Sequence, residues 1–117
     1  MDGTIILLCP PKLVTTSIAD CFATPAATLY YIVTHIHIAN INTTAETITV
    51  ALSTTGDQTA GTELLKLKSI AGDDVYDMYP RDLRISNSKL INALAGVTTN
   101  KLVITIDHSA YKEPQWR

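Results

Sequence analysis

The chain is 117 residues long, with a formal net charge of −2 and 17% charged residues. That length suits one domain able to bury a two-layer core, and the missing Lys/Arg stripe argues against a dedicated nucleic-acid binder, which needs cations to engage phosphates. Seventeen residues are threonine, so much of the polar surface is expected to be hydroxyl rather than ionic, a composition that suits strands and favours packing against neighbours over dispersal by charge repulsion.

At the N-terminus Ile5-Ile6-Leu7-Leu8-Cys9 is β-prone but far too short for a membrane span, and no basic region precedes it. Pro10-Pro11 is expected to end that run, because proline donates no ladder hydrogen bond. Residues 1–11 are therefore read as an arm. A strand of modest length follows from Lys12 to Phe22, then a turn at Thr24-Pro25-Ala26-Ala27. Cys9 and Cys21 lack a Cys-x-x-Cys spacing and a dense secreted framework, which favours two free, buried thiols over a disulfide.

The clearest alternation lies between Tyr30 and Leu52. Ile32, Ile36 and Ile38 would share one face of a strand, with Val33, His35, His37 and Ala39 on the other. After the polar break Ile41-Asn42-Thr43-Thr44-Ala45, Ile48, Val50 and Leu52 repeat the rule opposite Thr47, Thr49 and Ala51. The two arms read as an antiparallel hairpin with one apolar and one small, polar face.

Thr54 to Gly61 is a run of loop formers without periodicity, and the best candidate for an exposed contact loop. Thr62 to Ile70 fits a short helix or a strand; as a strand it carries Lys66 and Lys68 on one face. Gly72-Asp73 reads as a turn into Val75-Tyr76-Asp77-Met78-Tyr79, which Pro80 closes. Leu83 and Ile85 share a side of the next segment. Lys89 to Ala95 fits either a Ser88-capped helix or a strand with Leu90, Asn92 and Leu94 together, an ambiguity that short apolar runs do not resolve. The last strand spans Lys101 to Asp107, with Leu102, Ile104 and Ile106 inward. Seven or eight short strands and no long amphipathic helix predict an all-β fold, a single antiparallel β-sandwich of jelly-roll type over residues 12–108, with a C-terminal tail over 109–117 that holds Trp116.

His35 and His37 are the one pair that invites a mechanism, since His-x-His on a strand aims both rings to the same side. A third ligand is needed, and His108, Asp107 and Glu46 are the candidates. The cupin metal motif does not fit, because the glutamate expected after the second histidine falls on Ile41 or Asn42. With the set incomplete, the pair reads as part of a partly wet outer face, and no metal or other cofactor is expected. Asp73, Asp74 and Asp77 read as a solvated turn, lacking the spacing of a calcium loop. Tyr30, Tyr31, Tyr76 and Tyr79 fit cross-strand packing better than a sugar platform. No nucleophile elbow and no glycine-rich phosphate cradle is present, so no enzyme activity is expected.

Phe22-Ala23-Thr24-Pro25-Ala26-Ala27-Thr28, Val33-Thr34-His35-Ile36-His37-Ile38-Ala39-Asn40 and Thr47-Ile48-Thr49-Val50 resemble, in that order, a pattern of small virion proteins of tailed bacteriophages: an aromatic-x-x-Pro-Ala turn, a strand ending near Ile-x-Ile-x-Asn, and a Thr/Val-rich strand. Ser69-Ile70-Ala71 through Val75-Tyr76 and Leu102-Val103-Ile104-Thr105-Ile106 continue it, so the resemblance covers residues 22–107. The chain departs from the pattern in lacking the usual glycine of the Pro-Ala turn. The resemblance implies a non-enzymatic structural protein of the virion, a capsid decoration or cement protein, or alternatively a neck or tail component. The implied partners are further copies of itself and the major capsid protein, with neither nucleic acid nor membrane. Residues 1–11 and 111–117 would then order on neighbouring subunits. A sugar- or host-surface-binding module and a His-dependent metal protein are the other readings.

Overall fold

The computed structural model describes residues 4–54, 56–58, 62–81, 83–86, 89–96 and 98–112, with side chains described from 8 to 111 within those ranges. The elements are β1 (Thr4–Val14), β2 (Ala19–Asp20), β3 (Leu29–Asn40), β4 (Glu46–Ser53), β5 (Glu63–Ile70), β6 (Val75–Met78), β7 (Leu83–Ile85), β8 (Leu90–Ala95) and β9 (Leu102–Lys112). Both segments left open between helix and strand, around 62–70 and 89–95, are strands. No helix long and apolar enough to cross a membrane is present among the described residues.

Two antiparallel sheets pack face to face. The first has the order β1-β9-β3-β6, with β7 continuing the β6 edge along β3; the second has the order β2-β8-β4-β5. The first strand lies beside the last and the chain passes repeatedly between the sheets, which is a jelly-roll sandwich as expected. The core between the sheets holds Val33, Ile36, Ile38, Ile48, Val50, Ile91, Leu102, Ile104 and Ile106, each at most 1% exposed. Burying such side chains stabilises by about 1.5–3 kcal/mol each before conformational entropy is counted.

The expected hairpin is not one. β3 belongs to the first sheet and β4 to the second, so the polar break at 41–45 is a corner between layers. β3 pairs with β9 and β6, and β4 with β8 and β5. Alternation in each strand is real, because each buries one face, but it does not say which strand is the partner.

The face assignment along β3 also changes partway. Val33 lies opposite His108 and His35 opposite Asp107, so Thr34 is an extra residue, a β-bulge. The bulge resets the parity. Val33 is buried with Ile36 and Ile38, while Ile32, expected inside, is only partly buried, opposite Arg84. The Thr34 hydroxyl donates to the Asp107 carbonyl at 3.3 Å, which ties the bulge to the neighbouring strand.

Pro10-Pro11 does not end β1. This strand pairs with β9 from Thr4 to Val14, and both prolines fall in the register break between Cys9 and Lys12. On an edge strand a bulge tolerates a missing N–H and also blunts the free edge against pairing with other chains. Residues 4–11 are accordingly part of the chain's own sheet rather than an arm, and β9 likewise carries the sandwich past 108 to Lys112. Residues 1–3 and 113–117, with Trp116, lie outside the described residues. The strand expected over 12–22 reduces to the end of β1, a loop, and the two residues of β2.

The outer face of the second sheet is covered by the loop after β4. Asn92 is fully buried there and donates through Nδ2 to the Asp57 carbonyl at 2.8 Å, while its Oδ1 accepts from Gln58 Nε2 at 3.0 Å. Gly56 N–H donates to Asp20 Oδ1 at 3.0 Å. The segment expected to be a free contact loop is thus fastened to its own sheet, although Thr54, Gly56 and Asp57 remain exposed; Thr55 and residues 59–61 lie outside the described set.

At the corner, the turn 71–74 closes on the loop 41–45. Asp73 takes a left-handed φ of 57° and donates its N–H to the Asn42 carbonyl at 2.8 Å. A Cβ at Gly72 would fall on the Thr43 carbonyl, a backbone group with little freedom to withdraw. Gly72→Ala should therefore lower stability by about 1–3 kcal/mol, as overpacking does, read as a lower urea midpoint with unchanged slope.

Candidate functional site

Among the described residues no concave pocket forms, and the cluster that stands out is a surface constellation. The outer face of the first sheet supplies it. Beyond the bulge, His35 and His37 point away from the core because Ile36 and Ile38 point into it. Strand pairing then brings in the partners: His37 lies opposite Asp77 on β6 and opposite Thr105 on β9, and His35 opposite Asp107.

Asp77 Oδ1 is the centre of the group. It accepts from His37 Nδ1 at 2.6 Å and from His35 Nε2 at 2.8 Å. Those hydrogen bonds, His37's first and His35's second, hold the Asp77 carboxyl below its ordinary range. On the other side of the His35 ring, Nδ1 faces Asp107 Oδ2 at 3.5 Å. Tyr79, 70% exposed, stacks on His35 with centroids 4.6 Å apart and planes within 6°. Both edges and one face of that imidazole are therefore engaged.

Of the three candidates for a third histidine partner, two lie elsewhere. His108 continues the inward series of Leu102, Ile104 and Ile106 and is buried, with its ring edge-on to Tyr31 at 4.5 Å. Glu46 is buried at the corner, where its two oxygens accept from Asn42 Nδ2 at 2.8 Å and from the Thr98 N–H at 3.2 Å. Asp107 is at hand, but beside the far nitrogen of His35. The missing partner is Asp77, which belongs to β6 rather than to the acidic turn. Asp74 serves the turn instead, where its carbonyl accepts from Asn40 N–H at 2.9 Å and its Oδ1 from Val75 N–H at 2.8 Å. The signal that separates Asp77 is its place between Tyr76 and Met78, both packed toward the core.

The tyrosines do not converge. Tyr31 and Tyr76 pack against the core, Tyr30 stacks on Tyr111 at 5.3 Å beneath the Arg84 guanidinium, and Tyr79 covers His35. Cys9 and Cys21 are free, buried thiols in hydrogen-bonding contact. That contact lowers the Cys9 pKa and, with burial, raises that of Cys21. A row of apolar side chains also crosses the outer face beside the histidines, from Leu13 through Val103 and Ala39 to Val75. Its ends are 46% and 48% exposed.

No protein-family model matches the sequence, and no curated protein matches it. The fold resembles that of a solved structure from work on Bacillus endospore appendages, which are described as forming a family of disulfide-linked pili. The similarity covers 97% of this chain and 93% of that one, at a TM-score of 0.52 and 13% identity. At that identity the likeness is one of fold.

Proposed function

We propose that the chain is a non-enzymatic structural subunit that works by packing against copies of itself in an extended assembly of the appendage type. The observation that carries this reading is the apolar row Leu13–Val103–Ala39–Val75 across four strands of the first sheet, exposed at both ends and partly buried between them. A row of small and apolar side chains across a sheet is suited to being covered by another surface. The end-to-end likeness in fold to an appendage protein supports the same direction, although fold alone does not transmit function. Interfaces of about 1,200–2,000 Å² repeated along an assembly give strength without any single strong bond.

The test is sedimentation and negative-stain microscopy of the purified full chain over a range of concentrations. Concentration-dependent oligomers or filaments are expected, and Leu13→Asp with Val75→Asp should abolish them while leaving the unfolding curve unchanged. A monomer at every concentration, or assembly indifferent to the double variant, rules the reading out.

A narrower reading, a decoration or cement protein of a tailed-phage capsid, is favoured by the resemblance over residues 22–107 and by a jelly-roll topology shared with many capsid domains. Its test is mass spectrometry of separated heads and tails from purified particles. Recovery with heads supports it; absence from particles ends it.

A further inference from the structure

We infer that His35, His37 and Asp77 form a binding site for one divalent transition-metal ion of the zinc class on the outer face of the β3–β6–β9 ladder. Two imidazole nitrogens and one carboxylate oxygen already lie within 4.8 Å of one another, with both nitrogens directed at the carboxylate oxygen. Zinc bonds of about 2.0–2.2 Å to nitrogen and oxygen put tetrahedral ligand atoms roughly 3.3 Å apart. The present separations of 2.6 and 2.8 Å from Asp77 Oδ1 are those of shared protons. An ion taking the place of those protons needs the surface carboxylate to move outward and the two partly exposed imidazoles to turn toward each other, until their nitrogens are also roughly 3.3 Å apart.

The surroundings match what a metal-bound histidine requires. When Nε2 of His35 is the ligand, its Nδ1–H faces the Asp107 carboxylate, the arrangement that fixes the tautomer and raises the ring's basicity. Tyr79 holds the ring plane by stacking. Asp77 and Asp107 supply negative charge beside two imidazoles, which favours a dication. The nitrogen ligands select Zn²⁺, Co²⁺, Ni²⁺ or Cu²⁺ over Ca²⁺ and Mg²⁺, which prefer all-oxygen shells. Three protein ligands leave at least one coordination position on the solvent side, open to water or to a donor from another molecule. None of this depends on the subunit reading, and binding is measured on the dispersed chain.

The experiment is calorimetric titration of the untagged full chain with Zn²⁺ near neutral pH, repeated with Co²⁺ while following its visible absorption. One ion per chain is expected, with a Co²⁺ spectrum of nitrogen–oxygen coordination. His37→Ala and Asp77→Asn should each weaken binding by at least about 100-fold, and Asp107→Asn by about tenfold, the low end of the effect of a supporting carboxylate. Because these side chains lie on the outer face, the variants should keep the parent's circular dichroism and a cooperative unfolding transition, with at most a small fall in midpoint from the lost Asp77 hydrogen bonds. Absence of saturable binding to the folded chain, unchanged affinity in His35→Ala/His37→Ala, or Ca²⁺ binding as tightly as Zn²⁺ would each overturn the assignment.

Discussion

Asn40→Ala should lower the stability of the chain by about 2–4 kcal/mol, a large part of the roughly 5–15 kcal/mol that holds a domain of this size together. Asn40 is the last residue of β3, only 2% exposed, and stands where the chain turns from one sheet to the other. Its Nδ2 donates to the carbonyls of Thr44 and Ile70, both at 2.9 Å, and of Ala71 at 3.2 Å. Its Oδ1 accepts from the Asn42 N–H at 2.9 Å. One side chain thus ties the start of β4 and the end of β5 to the end of β3. Alanine removes the Asn40 partner from each of these groups; the Ala71 carbonyl keeps the Asp74 N–H at 3.2 Å, but water does not readily reach the carbonyl of Ile70, a residue only 3% exposed. Asn40→Asp is the sharper comparison, since it keeps the shape and the acceptor but sets a second acceptor against three carbonyl oxygens. It should be at least as damaging as alanine. Urea unfolding of the three proteins decides: if aspartate matches the parent, the donated bonds do not hold the corner.

Much of the fold was legible because alternation reports burial directly. Leu102, Ile104 and Ile106 were expected inside and are, as are Ile36, Ile38, Ile48 and Val50. What alternation does not carry is partnership, so two neighbouring strands joined by a polar break looked like a hairpin when each in fact pairs within a different sheet. Nor does it carry the bulge, since Thr34 is chemically ordinary in a strand and only the β9 register reveals it as extra. Buried polar residues were missed for a related reason. Asn40, Glu46 and Asn92 look like surface residues by type, and become interior only because corners and a returning loop supply each of them with partners. The histidine pair was visible as a pair, while Asp77 was not visible as its partner. That pairing is decided by β6 crossing to the first sheet, a long-range fact that local spacing does not contain.

The bulge makes a prediction that separates it from an ordinary irregularity. Deleting Thr34 should be tolerated, at a cost of about 1–2 kcal/mol, the range of an ordinary point substitution. Without it Val33 remains opposite His108 and His35 opposite Asp107, and the strand becomes a regular alternation with Tyr31, Val33, Ile36 and Ile38 still on the core side. The identified loss is the hydroxyl bond to the Asp107 carbonyl. Deleting Ile38 instead has no such escape. If the residues after it slip back, Ala39 takes the core position opposite Ile104 and Asn40 leaves the corner; if those before it slip forward, His37 takes that position and Ile36 turns outward. Either slip reverses the faces on one side of the break. The loss then includes a buried isoleucine, worth about 2–5 kcal/mol on truncation alone, together with the corner or a desolvated imidazole. That sum approaches the whole stability of the domain. Far-UV circular dichroism with urea titration should show a cooperative transition for the Thr34 deletion and none for the Ile38 deletion. Equal loss in both would mean that Thr34 is an integral part of the ladder rather than an insertion in it. The metal affinity of the Thr34 deletion should also stay close to that of the parent, because His35, His37 and Asp77 all lie on the side of the bulge whose register is unchanged.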